Sequence, residues 1–201
     1  GLLVDSVSDP AMQPDSPAPS EWLRRCTVAI APGGKVLDLA CGGGRHARYL
    51  RDLGFVVIAV DRNAECVAAL TQESGIEARC VDLEEAPWPF EPASFDAIVV
   101  TNYLHRQRFD FLAASLRTGG VLIYETFADG NERYGRPRSA DFLLRRDELF
   151  NRVSPLQVIT FEQGIVRTPK LAVIQRICAV KTTEPVDIPG ALAVAGAGAL
   201  R

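Results

Sequence analysis

Short unbroken apolar runs alternate with amphipathic stretches through the middle of this chain, and that alternation limits the fold more than any other feature. Residues 36–40, 56–60, 76–81, 95–100 and 121–127 read as strands, and 45–53, 64–73 and 109–116 among them carry helical periodicity. Strands that are apolar on both faces and separated by helices belong to a parallel sheet covered on both sides. A polar, arginine-rich loop over 128–139 leads to a further helix at 141–152. Two β-rich runs, 156–161 and 171–180, then close the domain around a turn containing Gly164. With no helix between them to carry a crossover, those two runs pair antiparallel.

A chain of 201 residues is long enough for one such domain, burying roughly 70% of its unfolded surface without a staple. The first twenty residues carry Pro10, Pro14, Pro17 and Pro19 among Asp and Ser, too little apolar content to offset ordering, so 1–19 reads as a mobile tail. Ser20 reads as the N-cap of an N-terminal helix over 20–31, opening a domain that runs over 20–183. The Ala- and Gly-rich segment 184–201 is expected to be a flexible C-terminal tail. The 22 basic and 25 acidic residues leave a formal charge of −3, which opposes a bulk electrostatic grip on nucleic acid or anionic lipid. No run approaches the ~18 apolar residues of a membrane span, and no basic segment followed by an apolar stretch marks a secretory leader. The 5 cysteines include no C-x-x-C pair, and with 2 histidines they fit neither a zinc site nor a disulfide framework. Buried thiols in a reducing cytoplasm, with no metal, are the expectation.

The segment from Val36 to Ala47 carries a strand into consecutive glycines and then a helix. Glycines there permit positive φ and bring backbone N–H groups and a helix N-terminus close to a ligand. Taken alone, Gly42-x-Gly44-x-x-Ala47 fits the dinucleotide fingerprint. Asp38, inside the strand, argues for a different ligand: a buried carboxylate there repels a pyrophosphate and welcomes an ammonium group. Asp61 ends the second strand, 17 residues after Gly44, where an acidic side chain takes ribose hydroxyls. Asp82 follows the third, placed to accept from an exocyclic amine. Three carboxylates at successive strand ends suit a positively charged nucleoside with an amino-acid tail.

The stretches VLDLACGGGRHARYL, VIAVDRN, CVDLE, FDAIVVTNYLH and GGVLIYETF, in this order and spacing, resemble the class I S-adenosylmethionine-dependent methyltransferases. The resemblance implies an α/β, Rossmann-like sheet of seven strands, mostly parallel, with helices on both faces and an antiparallel last strand. It implies S-adenosyl-L-methionine as the cofactor. Ala40 stands where the family has the first glycine of its acidic-x-Gly-x-Gly-x-Gly signature. Gly42 and Gly44 would form the cofactor loop, and Asp38 would help hold the methionine ammonium group. Asp61, with Arg62 beside it, would bind the ribose, Asp82 and Leu83 would contact the adenine, and Asn102 would border the cofactor. The stretches NYLHR and ETFADGNERYGRPRS resemble a small bacterial subgroup near the tellurite-resistance type.

The family places its reacting methyl group after the fourth strand, here at Thr101-Asn102-Tyr103-Leu104-His105. The family's proline-containing signature of amino-methylating nucleic-acid and protein enzymes is missing, which favours a small-molecule acceptor over nucleic acid. His105 has the pKa range of a general base, or it caps the helix that follows. Tyr103 is a candidate for the acceptor pocket or for packing. Arg133, Tyr134 and Arg136 follow the fifth strand, where they would lie by the pocket and hold an anionic acceptor. Between Thr101 and Arg152 there are 9 Arg against 7 Asp or Glu, a local excess of +2. Arg45 and His46 read as surface or supporting residues, and Trp22 as core. The expected function is in-line methyl transfer to a small molecule. The rivals are a non-catalytic S-adenosylmethionine-binding module, an RNA methyltransferase, and an NAD-dependent oxidoreductase, which Asp38 and the antiparallel ending oppose.

Overall fold

The structure, a computed structural model, describes residues 18–188. Its elements run α1 (Glu21–Cys26), β1 (Lys35–Leu39), α2 (Arg45–Asp52), β2 (Val56–Asp61), α3 (Ala64–Thr71), β3 (Ile76–Cys80), β4 (Phe95–Thr101), α4 (Phe109–Ser115), β5 (Leu116–Phe127), α5 (Glu148–Arg152), β6 (Gln157–Val166) and β7 (Ala172–Val180). The strands form one sheet in the order β3-β2-β1-β4-β5-β7-β6. From β3 to β5 every pairing is parallel, while β7 inserts between β5 and β6 and runs against both. The strand order reverses at β1, between β2 and β4, and that switch point opens a crevice at the strands' carboxyl ends.

Strand alternation divides the core in two. Leu37 and Leu39 point to the face covered by Phe109 and Leu112 of α4 and Leu149 of α5. Val36 points to the other face, packed with Trp22 and Leu23 of α1, Leu50 of α2 and Leu70 of α3. Ser20 caps α1 by accepting the Leu23 N–H at 3.0 Å. Trp22 is fully buried, as expected, and its indole N–H donates to the Ile177 carbonyl at 3.1 Å. Among the described residues no helix is long and apolar enough to cross a membrane.

Several local expectations need correction. The helix expected over 20–31 is α1 followed by a 3-10 turn, Thr27–Ala29, after which Ile30 becomes extended and drops into the core. The helix expected over 141–152 is broken, and α5 is only its last five residues. Leu143 and Leu144 are buried instead, with the Leu144 N–H donating to the Phe127 carbonyl and its own carbonyl accepting the Asp129 N–H. Arg106 pins this segment through the carbonyls of Asp141 and Leu143 and the carboxylate of Glu148. Gly119 and Gly120 lie inside β5 rather than before it. Gly164 lies inside β6, and the reversal falls at 167–171. The cysteines divide: Cys26 and Cys178 are buried, Cys41 and Cys66 half-buried, and Cys80, at the end of an edge strand, exposed. Of the expected tails, 1–19 and 184–201, residues 1–17 and 189–201 lie outside the described residues.

Candidate active site

The glycine loop leaves β1 through Ala40, Gly42 and Gly44, all with positive φ of 57°, 53° and 88°. At Gly44 the space is also closed, since a Cβ would lie 2.3 Å from Leu70 Cδ2. Asp61, at the end of β2, ties the loop down: one carboxylate oxygen accepts the Gly42 N–H at 2.9 Å and the other the Asn63 N–H at 2.8 Å. Asp82 follows β3 and accepts the N–H groups of Glu84 and Glu85 through one oxygen. Leu83 is buried beside it, and Arg62 is exposed past the end of β2. Asp38 is 2% exposed, bonded by the Ala47 N–H, and its Oδ2 has no partner among the described residues. Burial pushes its carboxyl up to about 7; Arg45 pulls the other way and Asp61 adds to the rise. An unpaired carboxylate oxygen at this depth is costly, and a cationic donor in the crevice would relieve it.

Beyond the ends of β4, β5 and β7 lies a cavity of about 260 Å³. Its charged lining is Arg45, Arg136, Lys170 and Arg176 against Glu21 and Glu125. Asn102, Asn131 and Tyr134 add polar groups, and Phe127, Pro169 and Ile174 apolar ones. Asn102 has φ 56°, a left-handed conformation that asparagine tolerates, and its N–H donates to the Glu125 carbonyl at 2.9 Å. Asn131 is buried and stitches the loop after β5: its amide donates to the Pro137 carbonyl and accepts the Val173 N–H.

The expected acceptor residues separate here. Tyr134 and Arg136 line the cavity, as does Asn102, expected beside the cofactor, whereas Arg133, Tyr103 and His105 do not. Arg133 is exposed on a 3-10 turn. The Tyr103 hydroxyl is buried with no partner among the described residues, and burial, with Glu84 and Asp82 adding to it, pushes its phenol up. His105 precedes the 3-10 turn ahead of α4, its carbonyl accepts the Arg108 N–H, and its buried Nε2 has no partner among the described residues.

Residues 36–120 match the family described as "Methyltransferase domain". The chain is 30% identical over 142 residues to a protein-L-isoaspartate O-methyltransferase of Chlorobaculum tepidum, across 61% of this chain and 64% of that protein. It is 33% identical over 82 residues to an uncharacterized methyltransferase of Synechocystis, across 39% and 36%. Both matches span less than two thirds of the relative's length. Among solved structures, an S-adenosylmethionine-dependent methyltransferase from Methanosarcina mazei superposes with TM-score 0.64 at 16% identity, covering 83% of this chain and 100% of that one. TehB from Haemophilus influenzae also gives 0.64, at 22% identity, covering 80% and 61%. Residues 36–120 thus match a methyltransferase domain, and the chain shares the fold of an S-adenosylmethionine-dependent methyltransferase.

Sequence reasoning missed some of the cavity. Arg45 is half-buried and reaches the Ala18 carbonyl at 3.0 Å, rather than standing free on the surface. His46 is buried, its Nε2 accepting the Ser20 N–H at 3.0 Å, and burial with nearby Arg45 pulls its imidazole down to about 3. Neutral His46 therefore holds the start of α1 against α2. Lys170 and Arg176 carried no recognisable signal. Glu125 did: it is the charged residue inside the otherwise apolar strand VLIYETF.

Proposed function

We propose that this methyltransferase moves the methyl group of S-adenosylmethionine to a small anionic molecule bound in the cavity beside Asn102. The observation that carries the reading is the cavity's lining, where Arg45, Arg136, Lys170 and Arg176 outnumber Glu21 and Glu125 at the carboxyl ends of the central strands. The adjoining crevice suits the donor. Asp38 has a bare oxygen for the ammonium group, and Asp61 retains lone pairs for ribose hydroxyls beyond the two N–H groups it accepts. Asp82 and Leu83 would meet the adenine, Ala40, Gly42 and Gly44 would let the chain approach closely, and Arg62 would stand at the rim. When bound, the donor supplies an electrophilic methyl group on a sulfonium. The protein's part is alignment, which contributes roughly 7–11 kcal/mol where the reacting atoms are held in line.

A second reading shares the same charges. The Chlorobaculum tepidum relative is named for O-methylation of protein L-isoaspartate, and an isoaspartyl carboxylate is itself an anionic acceptor. Titration with S-adenosylhomocysteine, followed by methyl-transfer assays on small carboxylates, an isoaspartyl peptide and RNA, tests both. S-adenosylhomocysteine is expected to bind at low-millimolar affinity or tighter and raise the melting temperature, with NAD inert and a small anionic molecule methylated. Tight NAD binding without S-adenosylhomocysteine binding would remove the donor assignment. Methylation of RNA alone would remove the acceptor class, and binding without turnover on any acceptor would favour a non-catalytic module.

A further inference from the structure

Glu125 sits on β5 opposite Thr101 of β4 and Arg176 of β7, and both Glu125 and Arg176 line the cavity. Its carboxylate accepts no hydrogen bond among the described residues. The nearest guanidinium, Arg176, stands 3.8 Å away and donates instead to Glu162 at 2.7 Å, where Arg25 also reaches. The 3.8 Å separation is too long for a hydrogen bond. About a sixth of the Glu125 side chain remains accessible, the figure being 16%, and the cavity it lines gives that access. Its own carbonyl holds the Asn102 N–H, so the carboxylate and the end of β4 border the same space. A half-buried carboxylate with no hydrogen-bond donor can take one from a ligand.

We propose that Glu125 receives the proton of a hydroxyl on the acceptor, so the acceptor joins an anionic group, held by the cationic lining, to a protic nucleophile. This rests on the methyl-transfer reading above and narrows it. As the hydroxyl oxygen bonds to the methyl carbon, the carbon–sulfur bond breaks with its electron pair going to sulfur. The hydroxyl proton passes to Glu125, which returns it to solvent through the cavity mouth. Burial raises the Glu125 carboxyl above the ordinary range, against Arg176 of β7 and Arg45 of α2 and with Glu162 of β6. That direction makes it a better base near neutral pH. A carboxylate as the accepting group would face Glu125 as a like charge, which is why the hydroxyl is favoured.

The test uses the full chain and its Glu125→Gln variant, saturated with S-adenosylhomocysteine, titrated with benzoate and 3-hydroxybenzoate at pH 6 and pH 8. S-adenosylhomocysteine should bind both proteins alike; failure to bind the unaltered protein overturns the donor reading and this one with it. The hydroxyl should tighten binding to the unaltered protein by about tenfold at pH 8 and less at pH 6, the size of a charge-assisted hydrogen bond. In Glu125→Gln the gain should shrink and lose its pH dependence. With the donor product bound, an equal gain in both proteins, or no hydroxyl-dependent gain in the unaltered one, overturns the assignment.

Discussion

Replacing Asp38 by asparagine should strengthen the fold and weaken donor binding, with both effects tied to pH. An ionised carboxylate at 2% exposure, with one bare oxygen, is a liability until a cation arrives. Its carboxyl titrates near 3.8 when unfolded and about 7 when folded. Between those values the unfolded chain has lost a proton that the folded chain keeps, so stability falls as pH rises from about 4 and levels off above 7. Each decade is worth about 1.4 kcal/mol, so the advantage of the Asp38→Asn variant over the unaltered protein should widen by roughly 2–3 kcal/mol between pH 5 and pH 8. The amide keeps the Ala47 N–H bond but leaves its own N–H groups short of partners, an offset of about 1–3 kcal/mol that does not vary with pH. Denaturant melts of both proteins at several pH values read the widening directly. Titration calorimetry reads the other half: binding of S-adenosylhomocysteine at pH 6 should expel close to one proton from Asp38 and none from the variant. Affinity for the unaltered protein should fall about tenfold per unit below pH 7. A stability difference that stays flat from pH 5 to pH 8, with proton release unchanged by the substitution, would refute the reasoning.

Gly44→Ala should cost about 3–5 kcal/mol, from positive φ and from displacing fully buried Leu70, whereas Gly33→Ala should cost only about 1–2. Gly33 shares the positive φ but has nothing within 4 Å, so equal losses in denaturant melts would remove the steric argument. Ala40→Gly relieves a left-handed alanine and should stabilise the protein by about 0.5–1 kcal/mol in the same assay, with a loss instead showing that the methyl group packs usefully. Glu148 is desolvated, yet Arg106, the Arg145 N–H and Arg152 together pull its carboxyl down to about 2. Its contribution is therefore present above pH 4.5 and lost as pH falls toward 2, so Glu148→Gln should cost about 2–3 kcal/mol at pH 7 and much less at pH 3.

How much of this was legible in the sequence follows from where each ligand-facing group sits along the chain. The acidic crevice was legible because β1, β2 and β3 each deliver one carboxylate within a few residues of the strand end, at Asp38, Asp61 and Asp82. The role of Asp61 in clamping the Gly42 N–H was not, since it needs the parallel register of β1 with β2. Helical periodicity failed at 141–152 because Phe142, Leu143, Leu144 and Leu149 satisfy a helix and a buried extended segment equally. Burial of Leu143 and Leu144, anchored by Arg106 from 37 residues away along the chain, decides between them. The cavity was the least legible part. Arg45 comes from α2, Glu125 from β5 and Arg176 from β7, and their meeting depends on an antiparallel register that no local pattern encodes. Charge excess in the loop after β5 pointed to Tyr134 and Arg136, which line the cavity, and also to Arg133, which does not. The informative sign was smaller: a lone glutamate inside an apolar strand must meet a cation, a ligand or a proton. Arg176 gives its hydrogen bonds to Glu162 and stands 3.8 Å from Glu125, so the Glu125 carboxylate keeps room for a donor from a ligand.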